Sequence, residues 1–78
     1  MAELQKTLHD IAAAIVDSPD EVKVLHEEDD DTITMTLSVA PDDMGMVIGR
    51  HGRIAKAIRT VIKAAAAPGG KKVNVEIR

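Results

Sequence analysis

Two periodicities of hydrophobic positions divide the chain into segments. Leu4, Leu8, Ile11, Ala12 and Ile15 recur at helical spacing, with Glu3, Lys6, Asp10 and Asp17 on other faces. This pattern predicts an amphipathic helix over about residues 3–16. It stops at Ser18-Pro19, because proline cannot continue a helix and pushes the residue before it toward extended geometry. In EVKVLHE, Val22 and Val24 face one way and Lys23 and Leu25 the other. TITMTLSVA then sets Ile33, Met35, Leu37 and Val39 on one face and Thr32, Thr34, Thr36 and Ser38 on the other. Two alternating runs around the polar EDDD predict an antiparallel hairpin.

The period then returns to helical. Pro41 suits a first helical position, and Asp42 and Asp43 suit the positive end of the helix dipole, so a helix of about two turns is expected before Gly49. From Arg53 to Ala67, Ile54, Ala57, Ile58, Val61, Ile62 and Ala65 form a continuous apolar stripe on a second helix, which Pro68–Gly70 ends. Val73, Val75 and Ile77 alternate with Lys72, Asn74 and Glu76 in a last strand. The order helix, strand, strand, helix, helix, strand predicts a two-layer α+β domain, three strands with helices on one face.

At 78 residues the chain makes one domain at most, with a small core. No cysteine is present to staple it. Phe, Tyr and Trp are absent too, so the core is aliphatic and each buried side chain covers less area. That leaves room for a partner subunit to add stability. The first apolar stretch is broken by charge and lacks the basic flank of a signal peptide, and no run approaches a membrane span. A soluble cytoplasmic domain without membrane insertion is expected.

The net charge of −3 conceals an asymmetry. Residues 1–46 carry twelve acidic residues and two basic ones, Lys6 and Lys23, a balance of −10. Residues 47–78 carry eight basic residues and one acidic residue, Glu76, a balance of +7. An anionic ligand responds to the local field, so the second half argues for nucleic acid although the total does not.

Within that half, Gly49, Arg50, His51 and Gly52 stand between the two predicted helices. A helix start presents backbone N–H groups without internal partners, and glycine lets a phosphate–sugar backbone approach them. Arg50 brings a permanent charge, and His51 the side-chain type that titrates near neutrality. Arg53, Lys56, Arg59 and Lys63 extend the basic surface along the following helix, with no acidic residue from Gly45 to Gly70. A solvated helix face normally mixes signs; this one does not.

Other chemistries fit less well. The run Glu27–Asp31 lacks the glycine and spaced glutamate of a calcium loop and reads as a solvated turn, so no metal site is expected. His9, His26 and His51 lie on separate elements, and neither Ser18 nor Ser38 has the setting of an activated nucleophile. The glycine turn lacks the lysine and hydroxyl of a P-loop. No catalytic residue and no cofactor are expected.

GxxG preceded by VI, joining two helices and followed by RIAKAIR, resembles the KH domain of single-stranded RNA-binding proteins, and the element order is similar to its type II arrangement. More specifically, VAPDDMGMVIGRHGRIAKAIRTVIKAAA in a chain this short resembles the small stand-alone bacterial KH proteins of the KhpA family, over essentially the whole of residues 1–78 as a single KH domain. The resemblance implies that Gly49, Arg50, His51 and Gly52 clamp the RNA backbone. It implies that Ile48 and Ile54 line an apolar floor for bases and that Arg53 and Lys56 reach phosphates. It also implies dimers, pairing with a larger KhpB/Jag-like KH protein, and a part in RNA chaperoning and control of cell elongation and envelope synthesis. His51 and the acidic run are this chain's departures; the acidic turn would repel RNA on its side and so orient a ligand. The rival reading is a protein-interaction module in which GxxG is only a helix corner.

Overall fold

The computed structural model describes residues 2–78. Its elements are α1 (Ala2–Ile15), β1 (Lys23–Glu28), β2 (Thr32–Ser38), α2 (Met44–Ile48), α3 (Arg53–Ala66) and β3 (Lys72–Ile77), with single 3-10 turns at Pro19–Glu21, Pro41–Asp43, Arg50–Gly52 and Ala67–Gly69. β1 and β2 form the expected antiparallel hairpin, Lys23 opposite Ser38 and Glu28 opposite Ile33. β3 lies parallel to β2, Thr32 beside Lys72 and Leu37 beside Ile77, so the sheet order is β1-β2-β3. Parallel pairing requires a crossover, and α2, the glycine turn and α3 supply it.

The core is aliphatic throughout. Leu4, Leu8 and Ala12 of α1 and Ile58, Ile62 and Ala66 of α3 cover Ile33, Met35, Leu37, Val73 and Val75 of the sheet, with Val47 of α2 among them. The other sheet face carries Thr32, Thr34, Thr36, Ser38, Asn74 and Glu76, of which only Thr36 is buried, and among the described residues no helix covers it. On that face Leu25 stays exposed beside Thr36, its cross-strand neighbour.

In two places the structure departs from the pattern. The α3 stripe is wider than the core can use: Ala55, Ile58, Ile62 and Ala66 are buried, whereas Ile54, Ala57, Val61 and Ala65 are exposed. The three- and four-residue spacings fit either row, and only the docking angle on the sheet selects between them. Asp43 does not cap its own helix either. Its carboxylate is buried, and Oδ2 accepts a hydrogen bond at 3.0 Å from the backbone N–H of Ser18, 25 residues earlier. This bond ties the α1–β1 linker to the start of α2. Losing it would leave a part-buried donor unpaired, a cost of about 1 kcal/mol.

The acidic turn is more ordered than a solvated run. Asp29 Oδ1 accepts the backbone N–H groups of Asp31 at 2.9 Å and Thr32 at 2.7 Å, and these two bonds hold its carboxyl below the usual range. Lys71 donates to Glu28 Oε2 and, at 2.9 Å, to the carbonyl of Asp29. The Lys71 hydrogen bond is the main reason that the Glu28 carboxyl is lowered to about 2. A depressed folded-state value means that the pair stabilises the fold fully above about 4.5, and that this contribution fades as pH falls toward about 2. In an NMR titration, Glu28 should show its midpoint near 2, and Lys71→Met should raise it toward the ordinary glutamate range, with the His26 contact at 3.2 Å still holding it somewhat down. An unchanged midpoint in the variant would dismiss Lys71 as the cause.

Candidate nucleic-acid interface

α2 ends because Gly49 leaves helical space, with φ 73° and ψ 177°, a combination open essentially to glycine alone. Its N–H still bonds the Gly45 carbonyl at 2.9 Å, closing the helix. A second reason for glycine lies in the packing. A Cβ at position 49 would stand 2.2 Å from Cγ1 of Ile54 and 2.7 Å from its Cβ, so Ile54 rests directly on the Gly49 backbone. Arg50, His51 and Gly52 then make one tight turn. Gly52 N–H bonds the Gly49 carbonyl at 3.2 Å, and Arg53 N–H bonds that of Arg50.

Two residues of this turn are left-handed, His51 at φ 57°, ψ 26° and Gly52 at φ 73°, ψ 12°. Histidine tolerates that region better than most side chains, yet it still costs of the order of 1 kcal/mol. Around Gly52 the space is open, with no atom near a would-be Cβ. The two glycines therefore differ: the first is required by packing and backbone together, the second by backbone alone. The turn also consumes amides that the helix-start argument left free. Among the described residues, the N–H groups of Arg50 and His51 are the ones in the turn without a backbone acceptor.

The expected site residues come together around this turn. Ile48, at the end of α2, is 40% exposed, and Ile54, in the first turn of α3, is 39% exposed. Arg50, His51, Arg53 and Lys56 are exposed around them. Among the described residues none of these four side chains has an ion pair or hydrogen bond. Arg59 stands apart: its Nε donates to the Val75 carbonyl at 3.1 Å, so this cation covers the open edge of β3. Sequence reasoning also missed the role of Lys71, since nothing in its spacing ties it to a turn 42 residues earlier.

A two-layer α-β-β-α-α-β sheet domain with a GxxG turn between its two consecutive helices defines a KH domain of type II. The family model for the KH domain of KhpA and KhpB matches residues 5–77, and the chain belongs to that family, which is non-enzymatic. The chain is similar to the RNA-binding protein KhpA of Clostridium acetobutylicum, 55% identical over 95% of this chain and 99% of that protein. It is likewise similar to the RNA-binding protein KhpA of Caldanaerobacter subterraneus, 54% identical over 99% of each chain. Among solved structures, Aquifex aeolicus Era shares the fold at a TM-score of 0.70 with 16% identity, over 95% of this chain and 29% of that one.

Proposed function

We propose that this protein binds single-stranded RNA at the glycine turn. In this reading Gly49, Arg50, His51 and Gly52 clamp the backbone, Arg53 and Lys56 take further phosphates, and Ile48 and Ile54 form the apolar floor for bases. One observation carries it: two part-exposed isoleucines flank a glycine turn whose surrounding cations have no partners among the described residues. Bases need apolar contact and phosphates need cations, and KH domains meet both needs over about four unpaired nucleotides. That the relatives above are named RNA-binding proteins supports the same reading.

The chain would work as one KH unit in the cytoplasm, as an RNA chaperone in post-transcriptional control of cell elongation and envelope homeostasis. A KhpB/Jag-like protein or a second copy would be its protein partner. Among the described residues no helix is long and apolar enough to cross a membrane. A second reading, docking to protein alone, draws on the exposed row Ile54, Ala57, Val61 and Ala65, with Val61 49% exposed. Salt separates the two. Three phosphate contacts give a logarithmic slope of roughly −2 for a single strand, so raising salt from about 50 to 200 mM should weaken RNA binding roughly twentyfold. Fluorescence anisotropy on a labelled oligouridine measures this. Binding indifferent to salt would favour the docking reading.

A further inference from the structure

An open groove of about 390 Å³ lies between the C-terminal end of α3 and the start of β3, lined by Lys63, Ala67, Lys71, Lys72, Val73 and Asn74. Its size falls within the range of small-ligand sites, about 300–1,000 Å³. The three lysines are not equivalent. Lys71 is held by Glu28 and by the Asp29 carbonyl, so its charge is already answered. Lys63 and Lys72 are exposed, and among the described residues their side chains have no ion pair or hydrogen bond. Ala67 and Val73 give the groove an apolar part, and Asn74 brings an amide that can both donate and accept.

We propose that this groove is a second phosphate-holding station for the same RNA strand, with Lys63 and Lys72 as its cations. The proposal rests on the RNA reading above and extends it. Lys63 follows Arg53 by ten positions on one helix, which places the station about 15 Å from the glycine turn. A stacked strand advances about 3.4 Å along its axis per nucleotide, so several nucleotides bridge the two stations. Lys56 and Lys63 flank the intervening path on α3, and Arg59 between them keeps it basic although its Nε is bonded to the Val75 carbonyl. Beyond the groove the path ends, because Glu27 and Glu28 at the end of β1 and Asp29, Asp30 and Asp31 in the adjoining turn stand there. A regularly spaced polyanion that fills both stations suits this layout better than an isolated acidic side chain.

The test compares a tetranucleotide with a decanucleotide, U4 and U10, binding to the parent protein, to K63Q/K72Q and to R50D/H51D by anisotropy. The parent should bind U10 at least about tenfold more tightly than U4. K63Q/K72Q should bring U10 close to U4 and reduce the U10 salt slope by about 1.4, two phosphates' worth, with U4 binding unchanged. The station does not exist if K63Q/K72Q binds U10 like the parent, if it weakens U4 and U10 equally, or if the parent binds both alike. In each of these cases a loss of U4 binding in R50D/H51D leaves the glycine-turn reading intact. A parent that binds neither oligonucleotide defeats that reading, and the station falls with it.

Discussion

Gly49→Ala will destabilise the domain severely, and Gly52→Ala only mildly, although the two residues share one motif. At Gly49 the new methyl meets Cγ1 and Cβ of Ile54 at 2.2 and 2.7 Å, with the Ile54 backbone nitrogen at 3.0 Å. The isoleucine could swing aside, but the backbone of its own helix cannot. The φ of 73° with ψ of 177° adds strain that no other side chain accepts. The two effects together should cost about 3 kcal/mol. For a domain this size that lowers the melting temperature by about 10–20 °C. Gly52 is left-handed but stands in open space, so alanine there should cost about 1 kcal/mol, or ~5 °C. Thermal melts followed by circular dichroism decide the matter. Equal losses at the two positions would show that packing under Gly49 is not what demands glycine.

The second large effect concerns binding. Arg50→Asp with His51→Asp should reduce single-stranded RNA binding at least about hundredfold, with the melting temperature close to that of the parent. Charge-assisted hydrogen bonds are worth about 1.5–3 kcal/mol each, and the reversal replaces attraction by repulsion at two adjacent positions. Both side chains are exposed, neither has a hydrogen bond or ion pair among the described residues, and aspartate tolerates the left-handed conformation that position 51 imposes. Parent-like RNA affinity in the double variant, with an unchanged circular dichroism spectrum, would remove the clamp assignment.

The sequence carried the elements and their order well, because each switch of hydrophobic period coincides with a breaker such as Pro19, Pro41 or the Pro68–Gly70 stretch, and Gly49 parts the two helices. The candidate site was visible in the sequence because a glycine pair and its flanking cations are local features. What stayed hidden was long-range. An apolar stripe on α3 does not say which of its rows meets the sheet, so Val61 reads as part of the stripe and proves exposed. Asp43 reads as a residue for its own helix dipole, and only the tertiary fold brings Ser18 to it. Glu28 reads as part of a solvated turn and Arg59 as part of the basic ridge, yet one holds Lys71 and the other covers the β3 edge. Periodicity describes how a segment is buried, not against what.

The parallel register of β2 and β3 has a consequence for the order in which the molecule is built. Thr32 sits beside Lys72 and Leu37 beside Ile77, pairs forty positions apart in the chain. The β1–β2 hairpin closes across a turn of a few residues and can form early, whereas the β2–β3 ladder must wait for loop closure over the whole crossover. The glycine turn lies inside that crossover. Its own bonds, Gly49 N–H to the Gly45 carbonyl and Gly52 N–H to the Gly49 carbonyl, are local, so the turn can take shape before that ladder closes.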